Sequence, residues 1–390
     1  MRRCLILLML MCLLNVTQLV LADEIQKKVV AESQPFLTVQ LVDETGKPVA
    51  GAQTGMVVMV NGYDRQQGAK WTFGHFEEKS DAEGIIRLHD KDKYRGMFYA
   101  RHAERGLVAV KRTDLLDESP SPLVLTMLPE CHVSWTIRSS QLEQIGKRVG
   151  AIRGFCGAEN MTCLWCCQTG STLHFYLPPG KYTLVAAGET ICPIEKTIEI
   201  EVGRTIHDVE VADAPALNWV LLEGKPAPEI VDIQEWKNEP VKLSQLKGKV
   251  VLLEFWGWWC GPCVVHGIPE LFRLREEFSQ DDLAIIGVHV SHGEDDEVDS
   301  IRQMDEKLSQ VREKVWKGQQ IDFPVALTRN RKLAFTPGGD SFAFSQMSVT
   351  YGINQFPTLI VIDRQGNVFG NLTLSKKEDR EKLKQLIESK

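Results

Sequence analysis

The chain has 390 residues, 43% of them hydrophobic and 25% charged, and its 45 Lys plus Arg against 52 Asp plus Glu give a formal net charge of −7. That length predicts two to four domains, and the apolar share is enough for ordinary globular cores. The acidic balance excludes a general electrostatic hold on nucleic acid, and the composition excludes collagen-like, low-complexity and polytopic membrane classes.

In chain order the first element is Met1 to Ala22. Arg2 and Arg3 precede the apolar run Cys4 to Leu14, and Val20-Leu21-Ala22 supplies a small-residue site. That order of parts predicts a secretory signal peptide over residues 1–22, and hence export to a periplasm or cell envelope. An uncleaved N-terminal anchor is the alternative, because the stretch from Cys4 is almost long enough to span although Asn15, Thr17 and Gln18 interrupt it. Cleavage after Ala22 leaves eight of the ten cysteines, an even number that favours disulfides in an exported chain.

Phe36 to Val42 alternates as a strand does, Asp43 to Val49 carries turn chemistry, and Met56 to Val60 and Ile85 to Leu88 are further strand candidates separated by Gly and Pro punctuation. This pattern predicts a small β-sandwich over about residues 36–125. The stretch Gly46-Lys47-Pro48-Val49-Ala50-Gly51-Ala52, followed by Ser80-Asp81-Ala82-Glu83-Gly84, resembles the prealbumin-like regulatory modules found beside carboxypeptidases.

A second β-rich stretch, about residues 126–213, holds candidate strands at His174 to Leu177, Lys181 to Ala186, Thr197 to Val202 and Ile206 to Val211. It also holds Cys131, Cys156, Cys163, Cys166, Cys167 and Cys192. Structural disulfides are the expectation for these six, with no pairing chosen by the spacing. A zinc site on Cys163, Cys166 and Cys167 with His174 or Cys156 is the second reading, weakened by the missing second pair.

From about Gly224 to Lys390 the pattern changes to alternating strands and helices, as expected of an α/β sheet. Lys249 to Phe255, Leu283 to Val290 and Thr358 to Ile362 read as strands, Asp299 to Trp316 as a charged amphipathic helix, and Lys376 to Glu388 as a closing helix. The predicted fold class is therefore multidomain: two all-β sandwich-like modules followed by an α/β domain.

Between the first of those strands and the helix after it stands Trp258-Trp259-Cys260-Gly261-Pro262-Cys263. Two cysteines three apart in the first helical turn can close a small disulfide ring, and a helix N-terminus favours a thiolate. Cys260, at the exposed end, is the expected attacking sulfur, and Cys263, one turn inside, the resolving one.

With that motif in view, the domain resembles thioredoxin, and in particular the exported thiol-disulfide oxidoreductases of the TlpA and ResA type. Three separated stretches carry the likeness: Gly-Lys-Pro-Ala-Pro-Glu at 224–229, Glu-Phe-Trp-Gly-Trp-Trp-Cys-Gly-Pro-Cys at 254–263 and Gln-Phe-Pro-Thr at 355–358. The resemblance implies that Pro357 is a cis-proline which, with Phe356, faces the cysteines and presents backbone to a substrate strand. It implies a buried acid at Glu254 beneath the resolving cysteine, where a raised pKa suits proton transfer. His266, three residues after Cys263, stands where relatives often have glutamate, and an imidazole can serve the same transfer. Trp259, Gly261 and Pro262 complete the expected substrate surface. The implied reaction is exchange with protein disulfides or thiols, in the direction of reduction, fed by a membrane electron donor and needing no cofactor or metal.

Two other activities are alternatives for these residues. A peroxiredoxin-type peroxidase needs a peroxidatic cysteine in a threonine-bearing loop, where this chain has Cys-Gly-Pro-Cys. A non-enzymatic envelope scaffold would keep the thioredoxin-like domain only for recognition. The segment Arg331 to Met347 is longer than the pattern requires and reads either as a substrate loop or as a tolerated insertion.

Overall fold

A computed structural model describes residues 37–54, 57–64, 68–73, 78–89, 97–112, 122–158, 161–168, 171–291, 293, 298–335 and 342–389. The predicted signal-peptide segment, residues 336–341 of the stretch Arg331 to Met347, and the side chains of Cys163, Cys166 and Cys167 lie outside the described residues. Among the described residues, no helix is long and apolar enough to cross a membrane.

The chain falls into two compact units: residues 1–136, 153–184 and 196–210 in one, and residues 137–152, 185–195 and 211–390 in the other. The first is built of strands. Leu37–Val42 pairs antiparallel with Ile85–Leu88 and parallel with Leu123–Thr126. Its alternation of buried and half-buried residues puts Leu37, Val39 and Leu41 into a core with Ile86, Leu88, Phe98 and Met127. Strand Met161–Gln168 pairs in parallel with Val57–Asp64, so residues from both predicted β modules share a sheet.

The expectation of disulfides fails at two positions. Cys131 and Cys192 are buried free thiols. Cys131 opens the inward series Cys131, Val133, Trp135 and Ile137, and so packs as a small apolar side chain. The Cys192 thiol donates to the Ala216 carbonyl at 3.7 Å, and burial pushes its pKa up to about 11. Cys156 is also buried. Among the described residues no cluster of three or more His, Cys, Asp or Glu side chains could hold a metal ion.

The second unit contains the predicted α/β region. Its strands are β1 (Ile233–Lys237), β2 (Val250–Trp256), β3 (Leu283–His289), β4 (Val325–Thr328), β5 (Thr358–Ile362) and β6 (Val368–Leu372). They form one sheet in the order β1-β4-β3-β2-β5-β6. β2 runs parallel to β3, and β3 to β4, while β5 is antiparallel to both β2 and β6. Every residue of β2 is buried, which accounts for its unbroken apolar run: a central strand covered on both faces cannot alternate.

Helices α1 (Ile268–Glu277), α2 (Ile301–Lys307), α3 (Ser309–Lys314), α4 (Gln346–Tyr351) and α5 (Lys377–Glu388) accompany the sheet. The single amphipathic helix expected over Asp299 to Trp316 is divided into α2 and α3 at Leu308, with the Ser300 hydroxyl capping the first by accepting from the Gln303 N–H. The motif at 224–229 is anchored at both ends of its Pro-Glu pair. The Tyr351 hydroxyl donates to the Pro228 carbonyl at 2.5 Å, and the Glu229 carboxylate accepts from the Leu243 and Ser244 N–H groups at 2.9 and 2.8 Å.

Gly352 ends α4 in the left-handed region at φ 70°, and a Cβ there would sit 2.4 Å from the Asn218 nitrogen. Neither the backbone conformation nor the space admits a side chain. Gly352→Ala is expected to destabilise the protein by at least about 2 kcal/mol, read from the midpoint shift in urea unfolding.

Candidate active site

The Cys260–Cys263 pair sits where β2 hands over to its helix. The two cysteines are joined by a disulfide with their Cα atoms 5.2 Å apart. Both cysteines are buried, Cys263 completely and Cys260 with 5% of its surface left, so Cys260 is the less enclosed of the two. The Cys263 N–H points at the Cys260 sulfur from 3.3 Å. A donor in that place stabilises negative charge on Cys260 once the disulfide opens, the same help a helix N-terminus gives. Gly261 and Pro262 are exposed beside it.

The helix does not run regularly from the motif. Cys263–Gly267 is a π-helical turn that passes into α1 at Ile268, with Pro269 in the first turn of α1. Proline has no N–H, and its ring crowds the carbonyl four residues back, so the turn over Val265 widens. The Ile268 N–H accordingly reaches the Cys263 carbonyl. That exchange releases the Val264 carbonyl, which accepts from the Trp316 indole N–H at 2.7 Å in the buried interior.

Pro357 follows a cis peptide bond, as the resemblance implied. It is exposed, and Phe356 before it is half-buried and meets Trp259 edge to face, with ring centroids 5.2 Å apart. The Trp259 indole donates to the Val290 carbonyl at 2.9 Å. It lies over Gly257, where a Cβ would come within 2.3 Å of the indole nitrogen. Trp256 is fully buried core, and Trp258 lies under the Lys307 ammonium at 4.6 Å.

Glu254 is buried, and desolvation raises its pKa to about 8. Its place in β2 has the parity of Leu252 and Trp256, which share a core cluster with Cys260, Cys263 and Ile268. A Cβ on Gly267 would be 3.1 Å from the Glu254 Oε1 and 3.8 Å from the Pro357 Cβ, so the carboxyl, the π turn and the cis-proline meet at one point. His266 is exposed, and no hydrogen bond or ion pair joins it to either cysteine or to Glu254.

His289 lies outside the sequence motifs that carry the likeness. This fully buried residue ends β3, where its Nε2 accepts the Trp258 N–H at 3.1 Å. An accepting Nε2 requires the Nδ1–H tautomer, and burial holds the pKa down to about 3. His289 therefore stays a neutral brace for the loop leading into Cys260. His289→Leu leaves that N–H without its acceptor, and is expected to cost about 1–3 kcal/mol in urea unfolding at pH 7. Replacing the histidine also removes a group that the unfolded chain protonates below 6.5 and the folded chain does not, so the difference between variant and wild type shrinks as pH falls from 6.5 towards 3.

A disulfide-linked cysteine pair between a strand and its helix, with a buried acid on that strand and a cis-proline that meets it at Gly267, in a sheet of this order, defines a protein-disulfide oxidoreductase of thioredoxin-like fold. Residues 222–387 match the Redoxin family, and this part of the chain is a Redoxin domain. Over 167 residues it is 28% identical to the thiol-disulfide oxidoreductase ResA of Bacillus cereus, an alignment covering 43% of this chain and 76% of that protein. It is 26% identical to ResA of Bacillus subtilis over 166 residues, covering 43% and 73% of the two chains. Among solved structures, a thiol-disulfide isomerase from Corynebacterium glutamicum is 25% identical, with a TM-score of 0.32 and coverage of 42% of this chain and 98% of that one.

Proposed function

We propose that the chain is an exported thiol-disulfide oxidoreductase that reduces disulfides in client proteins through Cys260 and Cys263. The observation that carries this reading is the asymmetric pair itself: a Cys260 that is the less enclosed of the two, with an N–H donor aimed at its sulfur, and a fully enclosed Cys263 behind it. The Gly-Pro spacing between them, as in reducing thioredoxins, supports the direction. The N-terminal segment supports export, and the strand-rich residues 36–213, whose two predicted modules share a sheet, are read as the part of the chain that serves partner recognition.

In the reducing direction the Cys260 thiolate attacks one sulfur of the client disulfide. A Cys260–client disulfide forms, and the other client sulfur leaves as a thiolate. Cys263 then gives its proton to Glu254, which is free to take it in the molecules whose buried carboxyl has ionised, a fraction that grows as pH rises toward 8, and attacks the Cys260 sulfur, releasing the second client thiolate. The client has gained two electrons, and the protein is left with its Cys260–Cys263 disulfide. A membrane-held dithiol donor returns two electrons to reopen it. Phe356, Pro357 and Trp259 form the surface along which the client strand lies.

The test is insulin reduction by the full-length protein with dithiothreitol as electron source. Acceleration over dithiothreitol alone is expected. Consumption of hydrogen peroxide without insulin reduction would favour the peroxidase instead, and inertness toward both would favour a scaffold.

A further inference from the structure

Two side chains immediately before the cis-proline reach out of the Redoxin domain. The Gln355 Nε2 donates to the Gly188 carbonyl and the Asn354 Nδ2 to the Ile191 carbonyl, each at 3.4 Å. Both acceptors belong to the turn Gly188–Cys192, which is part of the same compact unit.

That turn is held from several directions. The Thr190 carbonyl accepts from the Leu217 N–H at 2.9 Å, and the Cys192 N–H donates to the Pro215 carbonyl at 2.8 Å. The Thr190 hydroxyl accepts from the Gly150 N–H at 3.3 Å, and Ile191 forms a β-bridge with Ala216. The segment 215–218 is in turn tied to α4 by the Asn218 side chain, which donates to the Val349 carbonyl at 3.0 Å. The turn and the cis-proline loop thus share one frame. Of residues 188–192 only Glu189 is exposed.

We infer that the Gly188–Cys192 turn forms a wall of the client groove beside Phe356 and Pro357, with Asn354 and Gln355 as its positioning residues and Glu189 as the side chain it offers to the client. The occupant is an extended polypeptide carrying a basic residue close to its disulfide, selected by the Glu189 carboxylate. The inference rests on the oxidoreductase reading and adds to it that client choice is set partly by a segment preceding the Redoxin domain. A wall already fixed by six hydrogen bonds and bridges needs little further ordering when a strand arrives.

The experiment uses full-length protein and two cystine-bridged peptides, one with lysines and one with glutamates flanking the cystine, alongside 5,5′-dithiobis(2-nitrobenzoic acid) as a small disulfide. Wild type is expected to favour the lysine peptide at least threefold in kcat/KM, and Glu189→Lys, a surface change that does not burden folding, to abolish or reverse the preference. Gln355→Leu with Asn354→Leu is expected to raise KM for the lysine peptide about fivefold, with the small-disulfide rate and the reduction potential of the cysteine pair unmoved. A wild type active on all three probes whose peptide preference ignores Glu189→Lys would overturn this inference alone. Equal losses on peptides and small disulfide in the double variant would do the same, since they indicate a structural role. Inertness of the wild type toward every disulfide would instead overturn the oxidoreductase reading.

Discussion

Cys260→Ser is expected to lower insulin reduction by at least about 10³-fold, to the rate of dithiothreitol alone, because a serine hydroxyl is neither ionised near neutrality nor able to form a disulfide. Cys263→Ser is expected to lose turnover equally but to behave differently on a gel. Its Cys260 still attacks, and with the resolving sulfur gone the mixed disulfide persists. A non-reducing gel should therefore show a dithiothreitol-sensitive client adduct with Cys263→Ser and none with Cys260→Ser. Adducts through Cys263 in the Cys260→Ser variant would reverse the assigned roles. The complete burial of Cys263, against the 5% exposure left to Cys260, predicts the order stated.

The second large effect belongs to Glu254. Its folded pKa of about 8 stands well above the ordinary value of 4.5. Between those two values the unfolded chain has released the proton and the folded chain still holds it, so stability is fully present below pH 4.5 and declines as pH rises through 8. At about 1.4 kcal/mol per pH unit, the loss over that window is on the order of 5 kcal/mol. Glu254→Gln removes the titration. The variant is expected to be more stable than wild type at pH 8.5 by a few kcal/mol and to lose most of that advantage at pH 4, as read from urea unfolding at the two values. Its resolving step, deprived of the proton acceptor, is expected to slow about 10²-fold in single-turnover reduction of a client. A variant with unchanged pH dependence of stability would show that the carboxyl is not held protonated in the fold.

The chemistry was readable in the sequence because it is concentrated in short contiguous stretches. Cys260 and Cys263 are three residues apart, β2 has no polar residue but Glu254, and Pro357 stands directly before a strand. What escaped comes from contacts between distant segments. The His289 brace spans 31 residues to Trp258, the Trp316 indole spans 52 to Val264, and Gln355 spans 167 to Gly188. No local period marks such pairs. His266 shows the opposite failure: regular helical spacing would place it over Cys263, but the π turn forced by Pro269 changes the rotation per residue and leaves the imidazole in solvent. The even cysteine number suggested disulfides, whereas the alternation of Cys131, Val133, Trp135 and Ile137 already held the better signal of an apolar inward face.

The most direct measurement of the central claim is a redox titration of the full-length protein in graded dithiothreitol buffers, with the thiols of Cys260 and Cys263 counted by alkylation and mass spectrometry. A reversible transition in which both thiols appear together, fitting two electrons with a potential near −270 mV, is the predicted result and places the pair among reductants. A pair that never opens and closes reversibly would contradict disulfide exchange at this site, and a potential near −120 mV would contradict the reducing direction.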